Sequence, residues 1–166
     1  ISGGSIMHVV DKLYNQNAME YIVSTNEQSM MYMAKGYGSY EMLRAPAVCL
    51  VTSGPGITNC VTGLMDAKKD GVPLILISGQ VSTTKKDTGA FQECDAVNIT
   101  RNVTKWSYYV KSVNELPYVL DKAFHVTMSG LKGPVHLDVP LDVLTEIYDD
   151  SNNILLLKYV YGEYMN

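Results

Sequence analysis

The run Ala47 to Thr52 is apolar at almost every position, shows no alternation, and passes directly into the turn Ser53-Gly54-Pro55-Gly56. A strand of this kind needs apolar cover on both faces, which is the habit of parallel sheets flanked by helices. Pro73 to Ser78 and Pro134 to Val139 have the same character, and further strands are expected over Glu20 to Ser24 and Trp106 to Lys111. Helical stretches lie between them. Ile6, Val9, Val10 and Leu13 recur at helical spacing and run out at Asn15-Gln16-Asn17. A second helix is expected from Glu27 to about Tyr40. A third carries Val61, Leu64, Met65 and Ala67 and ends at Lys68-Lys69-Asp70-Gly71, where cations and a glycine suit a helix exit. A fourth opens near Ser112, with Ser112 to Glu115 as a capping box and Leu116, Leu120, Ala123, Phe124 and Met128 as its buried face. The expected architecture is α/β, a three-layer doubly wound and mostly parallel sheet with helices on both faces, joined by right-handed crossovers.

The chain has 166 residues, one domain's worth, and 46% hydrophobic content is enough for a substantial core. A net charge of -4 without a Lys/Arg cluster argues against nucleic-acid and anionic-membrane partners. Cys49, Cys60 and Cys94 show no C-x-x-C pairing, so buried thiols in a reducing compartment are expected, cytoplasmic with an organelle left open. No apolar run approaches the roughly 20 residues that span a bilayer. The compact pattern covers 1–148. The Tyr-rich stretch 149–166 is expected to be a linker or the start of a following domain, and a chain opening at Ile1 reads as a piece of a longer protein.

Two strand-to-helix turns carry the candidate chemistry. Glu27 follows the first expected strand, and Ser53 to Asn59 follows the second. In a parallel sheet both fall at the carboxyl edge, where open α/β folds collect ligands. Ser24-Thr25-Asn26-Glu27 equally fits a capping box, with Ser24 as cap and Glu27 reaching back to the Ser24 amide. Gly54-Pro55-Gly56 has the shape of a phosphate turn. Asn59, however, stands where a dinucleotide fingerprint has its third glycine, and the P-loop Lys-Ser/Thr is absent. His8, His125 and His136 are scattered and suit packing, while Met30, Met31 and Met33 suit core filling. No triad or complete metal set is apparent. Residues 79–102 form a long polar stretch, of the kind that in a compact domain usually serves function.

Gly3-Gly4-Ser5-Ile6, Asn26-Glu27-Gln28, Met33 to Tyr37, Ser53 to Asn59, Gly79-Gln80-Val81, Ala90 to Glu93, Thr104-Lys105-Trp106, Ser129-Gly130 and Gly133-Pro134-Val135 occur in one order. Together they resemble the amino-terminal pyrimidine-binding domain of thiamine-diphosphate-dependent enzymes, most closely acetolactate synthase large subunits, over residues 1–143. The resemblance implies that Glu27 hydrogen-bonds N1′ of the cofactor's aminopyrimidine, so that the cofactor can lose its C2 proton and attack a 2-oxo acid such as pyruvate. It implies that Gly4, Ser5, Pro55 and Asn59 line the pyrimidine, and that Phe91 and Gln92 face the substrate. It also implies a homodimer or higher oligomer in which the diphosphate-binding domain of another subunit completes the site, with Mg²⁺ and FAD held by domains outside this chain. Asn26 stands where acetolactate synthases usually carry His, and Asp87-Thr88-Gly89 where Gly-Thr-Asp is usual. Asn26-Glu27-Gln28 and Gly89-Ala90-Phe91-Gln92-Glu93 look more like oxalyl-CoA decarboxylase and 2-hydroxyacyl-CoA lyase. A non-catalytic binding or regulatory domain is a reading of another class.

Overall fold

The computed structural model describes residues 3–40 and 45–149. In chain order these form α1 (Met7–Tyr14), α2 (Glu27–Tyr40), β1 (Ala47–Val51), α3 (Pro55–Thr58), α4 (Val61–Lys69), β2 (Leu74–Gln80), α5 (Ala96–Thr100), β3 (Trp106–Tyr109), α6 (Leu116–Met128), β4 (Val135–Pro140) and α7 (Leu141–Thr145). The strands make one four-stranded sheet in the order β1-β2-β4-β3, and every pairing is parallel. Each strand end therefore opens on the same edge.

Side chains along β2 alternate between two apolar layers. Leu74 and Leu76 join Cys49, Val51, Met31, Ile57, Leu64 and Ala67 beneath α2, α3 and α4. Ile75 joins Val135, Leu137, Val139, Val119, Ala123 and Val143 beneath α6 and α7. The three-layer α/β expectation holds. The chain crosses from β1 to β2 over the first face and returns from β3 to β4 over the second, so direction and face reverse together and the two crossovers share one hand.

Several local expectations are corrected. Glu20 to Ser24 is not a strand: Ile22 and Val23 are both 74% exposed, neither face of the segment is covered, and β1 pairs only with β2 among the described residues. The buried face of α6 is Val119, Ala123 and Thr127, with Phe124 turned outward. A short 3₁₀ turn over Val113–Glu115 precedes that helix, so Glu115 reaches the Lys111 amide and the Tyr108 hydroxyl instead of boxing Ser112. Of the methionine stripe, Met31 alone is fully buried, and Met33 is half-exposed. The 149–166 segment, apart from Asp149, lies outside the described residues.

Over β4 and β3 the first face is polar but buried, with the five-residue α5 packed against it. Ser78 donates to Asp138 Oδ1 (2.7 Å), so it must accept from His136 Nε2 (2.8 Å). The ring is then the Nε2–H tautomer, and its Nδ1 lone pair accepts from the Ser107 hydroxyl at 2.9 Å, while Thr100 Oγ1, 2.8 Å away, donates to the Ala96 carbonyl. Gln80 Nε2 donates to Asp138 Oδ2 (3.0 Å). His136 is a satisfied core histidine, as the sequence suggests. Burial pushes it down to about 3, and burial pushes Asp138 up to about 6.

These shifts oppose each other. As pH falls from about 6 to about 4, the folded state gains a proton at Asp138 that the unfolded chain has not yet taken, which stabilises it. Over the same window the unfolded chain protonates its histidine while folded His136 stays neutral, which destabilises the fold by a like amount. Asp138→Asn removes only the first effect. Urea unfolding at pH 4, 5 and 6 is expected to show the variant losing about 1 kcal/mol more per pH unit than the parent; parallel pH profiles would contradict the assignment.

Candidate functional site

Helix α2 begins one residue after Asn26, whose Oδ1 accepts from the Gln28 and Ser29 amides at 2.9 and 3.2 Å. Asn26 is the cap, and the Ser24–Glu27 capping box expected as one reading is not formed. Ser24 instead donates to the Asn26 carbonyl at 3.0 Å. Glu27 takes the first helical position, where a carboxylate suits the helix dipole. Half-buried there, it accepts from Asn59 Nδ2 through Oε2 at 3.1 Å. Two further contacts follow at four-residue steps along α2. A Cβ at Gly63 would collide with Met31, so the helices touch there at backbone distance. Lys35 Nζ then reaches both Asp66 and Asp70 at 2.6 Å. Residues 27, 31 and 35 thus form three rungs against α3 and α4, and the first rung is the candidate site.

The turn that carries Asn59 is tightly specified. Gly54 has φ 58° and ψ -114°, a conformation open to glycine alone, and a Cβ there would lie 2.8 Å from the Gln92 carbonyl oxygen. Pro55 opens α3, where a missing amide costs nothing. Asn59 and Cys60 interrupt the single helix expected after this turn, separating α3 from α4. Ser5 stitches the amino-terminal loop to the same edge: its Oγ lies 2.9 Å from Thr52 Oγ1 and accepts from the Ser53 amide at 3.0 Å. Gly79 permits this, since a Cβ there would sit 2.5 Å from the Ser5 carbonyl oxygen.

The structure brings Glu27 and Asn59 into direct contact, and Gln92 against Gly54. Ser5 is buried beside the turn, while Gly4 and Pro55 lie at the surface. Phe91 projects into solvent, 87% exposed. Next to these residues, a cleft of about 710 Å³ lies over the ends of β2, β4 and β3, lined by Gln80, Lys86, Cys94, Tyr109 and Asp138 among others. Tyr109 Oη is buried there without a hydrogen-bond partner. Sequence reasoning passed over this cleft, although a lone carboxylate inside the apolar strand Val135–Val139 was a usable signal for it. Cys49 and Cys60 are buried, as expected, and burial pushes Cys49 up to about 12.

Residues 1–99 match the family described as thiamine pyrophosphate enzyme, N-terminal TPP binding domain. The chain is 45% identical over 145 residues to the mitochondrial acetolactate synthase catalytic subunit of Saccharomyces cerevisiae, covering 87% of this chain and 21% of that protein. It is 42% identical over 149 residues to the large subunit of acetolactate synthase isozyme 1 of Escherichia coli, covering 90% and 26%. The acetolactate synthase large subunit of Haemophilus influenzae is 37% identical over 163 residues, covering 98% and 27%. The chain thus spans about a quarter of the length of these relatives.

The observed cap separates two roles at the start of α2. Asn26→Ala is expected to lower unfolding free energy by about 1 kcal/mol. Glu27→Gln should change it by no more than about 0.5 kcal/mol. Chemical denaturation of both variants checks this, and the opposite ranking would restore Glu27 to a capping role.

Proposed function

The chain belongs to the thiamine pyrophosphate enzymes, as their N-terminal TPP-binding domain, and on that footing we propose that it supplies the pyrimidine half of an acetolactate-forming active site. The carrying observation is the Glu27–Asn59 hydrogen bond, which joins the first turn of α2 to the glycine turn after β1. The residues present fit the pyrimidine: a half-buried carboxylate stands beside a turn of small residues, and nothing lies within 4 Å of a Cβ built on Gly4. When bound, thiamine diphosphate supplies the acidic C2–H carbon that adds to a 2-oxo acid.

Within this chain, Glu27 holds or releases a proton toward N1′ of the pyrimidine. Asn59 engages Oε2, so the exchange falls to Oε1, and Asn59 fixes the carboxylate's direction. Gly4, Ser5 and Pro55 bring backbone and small side chains close to a flat ring. Phe91 contributes an apolar wall and Gln92 an amide toward the 2-oxo acid.

The whole reaction proposed is two pyruvate to 2-acetolactate plus CO₂. It needs a diphosphate-binding domain from another subunit in a homodimer or larger assembly, with Mg²⁺ and FAD held outside this chain. Residues 1–148 are the pyrimidine domain, and 149–166 leads onward. The side chain of Asn26 is committed to the helix cap, so its departure from the usual His carries little weight for an oxalyl-CoA or 2-hydroxyacyl-CoA substrate. Three free thiols suit a reducing compartment, cytoplasm or organelle matrix. Among the described residues no helix is long and apolar enough to cross a membrane.

In the assembled enzyme, Glu27→Gln should slow H/D exchange at cofactor C2 by roughly 10²–10⁴-fold while the fold is retained. NMR of quenched samples reads this directly. Exchange at the parental rate would remove Glu27 from the mechanism, and a parent protein with no effect on exchange would favour a non-catalytic binding domain.

A further inference from the structure

The segment that presents Phe91 and Gln92 is held at both flanks by the sheet and by α7. Gln80 Nε2 donates to the Cys94 carbonyl at 2.9 Å, and the Thr83 amide and hydroxyl donate to the Asp142 carboxylate. Its tip has no apolar anchor, since residues 83–89 are exposed and Phe91 stands out in solvent. Thr88 Oγ1 donates to the Lys85 carbonyl and Lys86 pairs with Asp87, but the side chain that gathers the most tip amides is Glu93. Glu93 accepts from the Asp87 amide through Oε1 and from the Gly89 and Ala90 amides through Oε2 at 2.9 and 3.0 Å, while its own amide donates to the Ala90 carbonyl at 2.9 Å. These bonds, the Asp87 amide first, hold the Glu93 carboxyl below the usual carboxylate range.

The ring so closed contains Asp87 (φ 64°) and Gln92 (φ 61°), which alone among the described non-glycine residues have positive φ. Such backbone persists only where its surroundings over-determine it. At Gln92 those surroundings are Glu93 on one side and, on the other, the close approach of Gly54.

We propose that Glu93 is a positioning residue for substrate recognition, its carboxylate gathering three loop amides so that Gln92 is locked in a left-handed conformation against Gly54 and Phe91 is presented outward. The proposal rests on the reading of Phe91 and Gln92 as facing the 2-oxo acid. Glu93 touches neither cofactor nor substrate and takes no part in moving the proton at Glu27.

The test uses the assembled holoenzyme and two variants, Glu93→Gln and Glu93→Ala. Glu93→Gln retains size but keeps one acceptor oxygen, so its NH₂ must face either the Asp87 amide or the Gly89 and Ala90 amides. Hydrogen exchange should show the amides of Asp87, Gly89 and Ala90 all losing at least about tenfold protection in Glu93→Ala, and at least one of the three doing so in Glu93→Gln. The KM for pyruvate should rise about tenfold or more, while C2 exchange of the bound cofactor stays within about twofold of the parent. Unchanged amide protection, or an unchanged KM with the tip amides deprotected, overturns the proposal. A large fall in C2 exchange also overturns it, because Glu93 would then act on the proton chemistry. If the parent itself accelerates no C2 exchange, the reading of the site fails instead, and amide protection still decides whether Glu93 organises the tip.

Discussion

Everything at the functional edge depends on β2 being paired on both sides and covered on both faces. Its side chains supply both apolar layers, and its parallel pairing with β1 and β4 obliges the chain to return by helices. Parallel strands deliver their outgoing turns to one edge. The Ser53–Asn59 turn, the polar stretch after Gln80 and the start of α7 are neighbours for that reason, though far apart in sequence. The Ser5 hydroxyl then ties the amino-terminal loop to that edge by filling the space Gly79 leaves.

The two halves of the first face differ in chemistry although both are buried. Under α2 and α4 the layer is apolar and closed. Under α5 the same alternation of β2, β4 and β3 presents Ser78, Gln80, His136, Asp138, Ser107 and Tyr109, and hydroxyls and amides satisfy most of what burial would otherwise penalise. A neutral imidazole and a carboxyl with elevated proton affinity coexist there because Ser78 bridges them.

The class of fold was legible because unbroken apolar runs such as Ala47–Val51 and Leu74–Ile77 have few alternatives to a doubly covered sheet. Glu27, Asn59 and Ser5 were legible as site candidates through the resemblance; spacing alone left Glu27 between cap and function. The cap itself was misassigned because Ser24 and Asn26 are both good cappers, and the choice depends on which residue starts the helix, a matter of tertiary contact with α3 and α4. Glu20 to Ser24 has strand composition, but composition cannot supply a neighbour. The tip held by Glu93 was invisible because a carboxylate that gathers amides three to six residues earlier obeys no helical or strand period.

The three rungs between α2 and α3–α4 make the site a gauge of helix register. Glu27 and Lys35 are eight residues apart, roughly 12 Å along a rigid axis, so the ion pairs of Lys35 and the tight Met31–Gly63 crossing set where Glu27 stands without touching it. A slip of α2 by one residue, about 1.5 Å, would misalign all three rungs together. A side chain at Gly63 would meet Met31, so accommodating it would shift α2 and, with it, the Glu27 carboxylate one turn away.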